Sequence, residues 1–200
     1  MLLGAFIITG CSSDEISESE ISNHILKREG TLDLSKDEDF IELYNLFSEY
    51  AEVEKDIEQI TYFISKIERE KNLSNKDMEL FAQSMGYENK EQALEYTQRF
   101  FSLAINLDNK YNISNIRQNE LDSIFITGFE GIETSSDDCA RRQRNCFAKA
   151  AGIATVAHIG CAALDITVIL GMACHAGVTL VWVAANDDCK LDYKDCMNPN

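Results

Sequence analysis

The side chains in this sequence that are best suited to chemistry are the cysteine thiols, which form disulfides in oxidising compartments and can otherwise bind metal ions. Six of the seven cysteines are spaced symmetrically, at intervals of 7, 15, 13, 15 and 7 residues. In an antiparallel helical hairpin that folds at residue 167 or 168, residues whose numbers have the same sum face each other. The spacing therefore predicts three disulfides, which are Cys139–Cys196, Cys146–Cys189 and Cys161–Cys174.

Helical geometry supports this hairpin. An α-helix turns by about 100° per residue, so the three cysteines of each predicted helix fall on one face. A disulfide requires Cα atoms about 4.4–6.8 Å apart, whereas packed helices usually lie about 8–10 Å apart. Small side chains permit the closer approach, and alanine and glycine are abundant in both predicted helices. We therefore expect residues 139–200 to form two Ala/Gly-rich helices joined at matched heights.

A metal site is the alternative use of these thiols. Structural zinc sites usually contain cysteines at C-x2–4-C spacing, and the sequence has no such pair, so we expect neither a metal nor a cofactor. His158 and His175 lie in an otherwise apolar stretch of the predicted hairpin. We favour hydrogen-bonded structural residues, and a pH switch or a weak metal pair stays open as the alternative. Asp165 falls near the predicted turn, where we expect a cap or turn residue.

The hairpin resembles that of the coiled-coil-helix-coiled-coil-helix proteins, whose twin cysteine pairs join two antiparallel helices. The resemblance covers residues 139–196 only. The outer pairs here have C-x6-C spacing instead of C-x9-C, a third pair is present, and the helices are more apolar. The resemblance therefore implies a mechanical arrangement and carries over neither the location nor the partners of that family.

The N-terminus resembles the end of a bacterial lipoprotein signal peptide. An apolar run from Met1 to Ile8 is followed by Thr9, Gly10 and Cys11, which matches the cysteine that becomes diacylated and N-terminal. The acidic residues that follow resemble the surface-export signal of Bacteroidetes lipoproteins. A Lys/Arg-rich segment before the apolar run is missing, and we expect the true start to lie upstream. The resemblance implies residues 1–11 as signal peptide with lipidated Cys11 and a flexible acidic tether over 12–34. It also implies an outer-membrane location, and the acidic residues after Cys11 favour an outward-facing one.

Charge is divided unevenly along the chain. Residues 1–138 contain 12 Lys/Arg and 29 Asp/Glu, whereas residues 139–200 contain 6 and 5. The acidic part would repel nucleic acid and anionic lipid, so we expect no nucleic-acid partner. Since the single proline is Pro199, the rest of the chain carries no proline to interrupt helices. The fold class that we predict is all-α, with an acidic helical bundle followed by the disulfide-joined hairpin.

Apolar periodicity predicts one long helix over residues 36–70, in which the a and d positions of a heptad are filled from Leu43 to Ile67. Ser35 and Glu38 have the spacing of a capping box at its start. Such a seam could form a dimeric coiled coil, but additional apolar residues beside it favour packing inside a bundle over residues 35–128.

Shorter helices are predicted after this one. Ser74 and Gly86 delimit a helix over residues 75–85, Asn89 begins one over 90–109, and Ser114 begins one over 115–127. Residues 129–138 are rich in glycine, serine and acidic side chains, which predicts a linker before the hairpin.

Catalytic and nucleotide-binding motifs are absent from the sequence, including G-x-S-x-G, H-E-x-x-H and G-x-x-x-x-G-K, and we predict no enzyme. Residues 150–185 carry one formal charge, Asp165, so this stretch is either a buried core or a membrane-inserting segment. Trp182 fits both interpretations. The expected function is a lipid-anchored envelope protein that acts as a binding module, and a protein partner is one of the targets left open. The alternative is a bacteriocin-like membrane-active or related immunity protein.

Overall fold

A computed structural model describes residues 32–133, 137–163 and 168–198. Residues Asp33–Asn200 form one compact unit. The signal peptide, Cys11, nearly all of the predicted tether and Asp165 lie outside the described residues. The described residues form seven α-helices, which are α1 (Glu38–Ala51), α2 (Ile57–Glu70), α3 (Asn75–Ser84), α4 (Lys90–Tyr111), α5 (Gln118–Ile132), α6 (Asp138–Ala163) and α7 (Val168–Met197). The described residues contain no β-strand, as the predicted all-α class requires.

The prediction of one long helix over residues 36–70 is wrong, because the helix is interrupted between α1 and α2. Lys55 Nζ donates to the carbonyl oxygens of Tyr50 and Val53, at 2.6 Å each, and so satisfies acceptors at the end of α1. Asp56 then caps α2 through Gln59 N, while its own backbone N–H donates to the Ser84 carbonyl 2.8 Å away. Caps and a tertiary hydrogen bond thus override the apolar period at this point.

The break also removes the continuous seam. Two of its heptad residues, Val53 and Ile57, are 36% and 44% exposed. The other residues divide between the two helices, with Leu43 and Leu46 buried on α1 and Ile60 and Ile67 buried on α2. The apolar residues therefore pack within the chain as two separate stripes.

Two of the predicted helix starts are displaced. The cap of α1 is Asp37, not Ser35, because Asp37 accepts from Phe40 N and also from Lys110 Nζ and the Tyr111 hydroxyl on α4. Ser114 does not begin α5. It lies instead in a 3-10 turn, Ile113–Asn115, which contacts α4 and α6 and in which Ile113 is fully buried.

The other predicted starts agree with the structure. Ser74 and Asp77 form a reciprocal capping box at α3, and Asn89 caps α4 through Gln92 N. Gly86 follows α3 with a φ of 88°, a conformation that strongly favours glycine.

The predicted linker at 129–138 is not a boundary between compact units, because Asp33–Asn200 is one unit and α5 continues to Ile132. Gly128 lies inside α5 for a packing reason. A Cβ atom there would come within 2.6 Å of the Phe40 ring, so the small residue leaves room for this side chain of α1 against the backbone of α5. Phe40 in turn makes edge-on contacts with Phe125 and Phe129.

Helices α6 and α7 form the predicted antiparallel hairpin. Its disulfides join Cys139 to Cys196, Cys146 to Cys189 and Cys161 to Cys174, which are the pairs predicted from the symmetric spacing. The paired Cα atoms are 5.7, 5.7 and 5.9 Å apart, within the range that a disulfide requires.

The hairpin is the centre of the unit. Helices α4 and α5 pack on α6, while α2 and α4 pack on α7. The covered faces are rich in alanine, and Ala148, Ala151 and Ala176 are fully buried. Other apolar residues of the hairpin stay exposed, including Ile153, Val168 and Val181. Among the described residues, one helix, Val168–Met197, has the length and hydropathy of a membrane span, although a core helix of a soluble protein can have the same properties.

Candidate functional site

The two histidines of the hairpin meet in the core. His158 is on α6 and His175 is on α7, and the distance from His158 Nε2 to His175 Nδ1 is 2.9 Å. His158 Nδ1 lies 2.7 Å from the Ala154 carbonyl oxygen. The Tyr87 hydroxyl, in the turn between α3 and α4, lies 3.1 Å from His175 Nε2. The two histidines are therefore in direct contact across the hairpin.

The acceptor at one end determines the direction of every hydrogen bond in this chain of groups. A carbonyl oxygen only accepts, so His158 Nδ1 carries the proton and, in the neutral ring, Nε2 is an acceptor. His175 Nδ1 must then donate to His158 Nε2. His175 Nε2 is left to accept from the Tyr87 hydroxyl. One pair of neutral tautomers therefore satisfies all three hydrogen bonds.

The environment keeps both rings neutral. Burial lowers the pKa of His158 to about 4. Burial, together with the adjacent His158, lowers the pKa of His175 well below its usual value. The rings are surrounded by aromatic side chains, and Phe100 stacks on His158 with centroids 5.2 Å apart. Among the described residues, none of the hydrogen bonds of the two rings is made to a carboxylate.

This arrangement agrees with the favoured interpretation of structural histidines. The two facing nitrogens are bonded to each other, and the described residues contain no group of three or more His, Cys, Asp and Glu side chains placed to hold a metal ion. The histidines instead connect the two helices of the hairpin to the turn at Tyr87. Their contribution is to position the helices around them.

A cleft of about 520 Å³ lies at the end of the hairpin that carries Cys139–Cys196. Its volume is within the range of small-molecule sites, about 300–1,000 Å³. Three parts of the fold line it, which are α1 and its C-cap, the residue after α5, and the ends of the hairpin helices near Cys146–Cys189. The lining residues are Tyr44, Ser48, Ala51, Glu52, Glu133, Ala140, Gln143, Arg144, Phe147, Asn186 and Lys190.

Arg144 is the most buried cation of this cleft, with a side chain that is 9% exposed. One guanidinium nitrogen, Nη1, donates to the Glu133 carbonyl oxygen at 2.9 Å, and Nη2 lies 3.7 Å from a Glu130 carboxylate oxygen. The third nitrogen, Nε, is buried and has no hydrogen-bond acceptor among the described residues. A buried, unpaired donor on a charged group is costly, and this nitrogen has almost no accessible surface, so it contributes to the core beside the cleft and not to the cleft surface.

The other charges of the cleft are of both signs. The Tyr44 hydroxyl donates to Glu133 Oε2 at 2.8 Å, and Lys190 Nζ lies 4.0 Å from Glu52 Oε1. The hydrogen bond to Glu133 and burial raise the pKa of Tyr44, burial being the larger cause. The cations come from the hairpin, whereas the acids come from the helices before it.

The apolar floor of the cleft reaches the single tryptophan of the chain. Phe147 lines the cleft and contacts Trp182 edge-on, with ring centroids 5.7 Å apart. Trp182 is buried, so of the two predicted roles for this residue the structure supports the core. Its indole Nε1 has no acceptor among the described residues, and Asn186, one turn further along α7, is buried beside the cleft.

Sequence analysis did not anticipate the cleft. The structure joins the six hairpin cysteines as predicted and brings His158 and His175 together, but Arg144 was missed. A signal was present, because Arg144 precedes Phe147, Ala148 and Ala151 at the spacing of one helix face, which places a cation on the inward stripe of α6. Lys190 and Glu52 gave no comparable signal.

Comparison with known proteins finds no match to any family model, curated protein or solved structure. The function must therefore be inferred from the chemistry of the site and from the sequence motifs.

Proposed function

We propose that this protein is a lipid-anchored binding protein of the bacterial cell envelope, and that the cleft at the end of the hairpin is its binding site. The observation that carries the binding role is the cleft itself, about 520 Å³ in volume, which combines Arg144 and Lys190 from the hairpin with Glu52 and Glu133. Lipidation of Cys11 provides the anchor, and the most consistent location is the outer membrane, facing outwards.

The disulfides support an exported location. Bacterial disulfides form and persist outside the cytoplasm, where thiols are not kept reduced. All six cysteines of the hairpin are paired, which leaves Cys11 as the odd cysteine of the chain. An odd cysteine that follows Ile8, Thr9 and Gly10 is well suited to acylation.

Binding is favoured over catalysis by the state of the polar groups in the cleft. Glu133 already accepts from Tyr44, and Glu52 lies beside Lys190. The two histidines, which would be the best acid–base groups near neutral pH, are buried in the core and hydrogen-bonded to each other. Neither histidine lines the cleft, whose lining offers groups suited to recognition.

Anchoring is tested in the cells that produce the protein. We expect the full chain to enter the detergent phase on Triton X-114 partition, and mass spectrometry to find an acylated N-terminal peptide that begins at Cys11. Cys11→Ala should move the protein to the aqueous phase, whereas the neighbouring Ser12→Ala should not. An unmodified Cys11 that still carries residues 1–10 would contradict the anchor.

Export and orientation need a separate measurement. Protease added to intact cells should degrade an outward-facing protein. The hairpin cysteines should resist maleimide until a reductant is added. Free thiols at all six positions in freshly lysed cells would place the protein in a reducing compartment and overturn the proposal.

A membrane-active role is the second candidate, and the observation that favours it is the exposed apolar face of α7. Val181, near the middle of that helix, is 65% exposed. If this face inserts into a bilayer, the oxidised full chain should release dye from vesicles of phosphatidylethanolamine and phosphatidylglycerol. Val181→Glu should abolish the release, because a carboxylate in the apolar core of a bilayer is costly. Intact vesicles at micromolar protein would exclude this role.

A further inference from the structure

We propose that this protein forms a homodimer, in which one side of the hairpin packs against the same side of a second copy. This side, which we call the open face, is formed by Ile153 on α6 and by Leu170, Gly177, Val181 and Ala184 on α7. The inference goes beyond the proposed binding function, because it depends neither on the cleft nor on the lipid anchor.

Helix periodicity places the open face on the side of the hairpin that α1 to α5 leave uncovered. Gly177, Val181 and Ala184 follow one another at intervals of four and three residues, so they share one side of α7. His175 and Thr179 are buried and lie on the opposite side of this helix, where α2 and α4 pack. One side of α7 is thus covered and the other remains exposed.

The open face has an apolar centre and a charged edge. Val181 is 65% exposed and Ile153 is 48% exposed, and the disulfide register places them at similar heights on the two helices. The described part of residues 150–185 contains no Asp, Glu, Lys or Arg, whereas Lys149 and Asp188 are exposed at the end of this apolar stretch. An apolar centre with a charged rim is the usual composition of a protein interface.

Gly177 supports close contact with another backbone. A glycine inside a helix costs about 0.5–1 kcal/mol relative to alanine. A Cβ atom at Gly128 or Gly152 would crowd a phenylalanine ring of another helix, but at Gly177 it would meet no atom within 4 Å. Packing within the chain therefore does not require this glycine, whereas a second helix crossing at Gly177 would. Gly160 on α6 is equally open, and we place it at the edge of the interface, where a methyl group is accommodated.

The distribution of charge favours a second copy as the partner. Residues 1–138 contain 29 Asp/Glu and 12 Lys/Arg, whereas residues 139–200 contain 5 and 6. Two copies that meet through their hairpins keep the acidic helices apart, while contact through those helices would oppose like charges. An uncharged apolar face can also pack on itself about a twofold axis without any complementary charge.

A bilayer is the other apolar partner that such a face could meet. Interfacial helices usually combine basic side chains with tryptophan at the membrane surface. Trp182 is buried in the core instead, and the whole chain has a net charge of −16. The second copy is therefore the favoured occupant of the open face.

The size of the open face predicts a weak dimer. Two helices side by side are about 20 Å wide, and residues 170–188 of α7 extend for about 28 Å. Each copy would bury roughly 550 Å², or roughly 1,100 Å² in total, which is near the lower limit for a specific interface. We therefore expect a dissociation constant in the micromolar range.

Sedimentation velocity tests the dimer on the full chain carrying Cys11→Ser, with its three disulfides intact. A reversible monomer–dimer equilibrium should appear between low micromolar and a few hundred micromolar protein. Val181→Asp should weaken it by about tenfold or more, because a carboxylate would be buried without a counter-charge. Gly177→Leu should also weaken it by holding the two helices apart. Ile105→Asp is the matched control and should have no effect, since Ile105 is an exposed apolar residue on α4.

Hydroxyl-radical footprinting locates the contact without any substitution in the open face. Oxidation of Ile153 and Val181 should decrease as the dimer forms, whereas oxidation of Ile105 should not change. This measurement keeps the dimer testable even if Val181→Asp fails to fold, which far-UV circular dichroism would reveal.

Two results would overturn the homodimer. A chain that stays monomeric throughout would exclude it, and binding of that monomer to phosphatidylglycerol vesicles would assign the open face to a bilayer. A dimer in which Val181 is not protected would place the contact elsewhere and would equally overturn it. Lipidation and ligand binding are measured separately, so either result leaves the proposed function unaffected.

Discussion

The hairpin, α6 with α7, and the front helices, α1 to α5, acquire their arrangement by different physical means. In the hairpin, three covalent bonds at matched heights determine which residues face each other. The front helices contain no cysteine, so no disulfide joins them. Their arrangement depends on aromatic contacts, caps and packing against the hairpin. Covalent register can be derived from spacing, whereas packing requires three-dimensional complementarity.

The largest expected effect comes from removing a disulfide of the hairpin. Cys146→Ala with Cys189→Ala opens a link across 43 residues, for which the chain-entropy relation gives about 4 kcal/mol of lost stability. Cys161→Ala with Cys174→Ala opens a link across 13 residues, and the same relation gives about 3 kcal/mol. Urea denaturation under non-reducing conditions measures both.

The comparison between the regions predicts that the front helices unfold together with the hairpin in these variants. Far-UV circular dichroism, which reports all helices, and Trp182 fluorescence, which reports the hairpin core, should then give the same midpoint. Front helices that keep their structure after the hairpin unfolds would show that they fold independently.

The next effect concerns pH and the histidine pair between the two regions. Burial holds the pKa of His158 at about 4, below the 6.5 of an unfolded histidine, so the unfolded state binds more protons between these values. The contribution of His158 to the free energy of unfolding is therefore fully present above pH 6.5. It is lost as the pH is lowered towards 4, by about 3 kcal/mol for His158 alone. Urea midpoints measured at intervals across this range test the slope.

Replacing both histidines with glutamine provides the matched comparison. The double variant His158→Gln with His175→Gln has no imidazole to titrate at these positions, so it should lose less stability between pH 6.5 and 4. At pH 7 we expect it to be less stable than the original protein. Carboxylates with lowered pKa values, such as Asp37 held by Lys110 and Tyr111, are common to both proteins and cancel in the difference. Identical slopes would exclude the histidines as the cause.

A pair of glycine substitutions contrasts the two regions directly. Gly128→Ala in α5 would press a methyl group against the Phe40 ring and should destabilise the protein by about 1–3 kcal/mol. Gly160→Ala in α6 meets no atom within 4 Å and should stabilise the helix by about 0.5–1 kcal/mol. Thermal denaturation measures both changes in stability. If both substitutions stabilised the protein, the packing described for α5 would be contradicted.

The smallest effect concerns the break between α1 and α2. Asp56→Ala removes the side-chain cap on Gln59 N and should cost about 1 kcal/mol. The exposed neighbour Glu54 makes no comparable cap, so Glu54→Ala should change stability by less than about 0.5 kcal/mol. Equal losses would mean that the cap does not determine where α2 begins.

Prediction from the sequence succeeded where a local or covalent rule applied. The capping box at Ser74 and the cap at Asn89 involve residues within one helical turn, so they could be identified directly. It failed where a distant partner decided the outcome. Asp37 became the cap of α1 because Lys110 and Tyr111 on α4 also bind it. Gly128 lies inside α5 because the ring of Phe40, distant in the sequence, leaves no room for a Cβ atom.

The candidate site shows the same division. Each of its charged residues is unremarkable in the sequence, since acidic and basic side chains are common on helix surfaces. The cleft exists because α1, the residue after α5 and the hairpin helices come together in the folded chain. The burial of Arg144 is a property of the assembled fold.

The sequence by itself determined the helical class, the three disulfide pairs and the hairpin register, because thiol spacing and helix periodicity act through short distances along or across two paired helices. Only the tertiary structure decided where the long apolar seam breaks, that His158 and His175 form one neutral hydrogen-bonded chain with Tyr87, and that Arg144 is mostly buried beside a cleft. These features depend on which surfaces are removed from water together, and burial is a collective property of the packed helices.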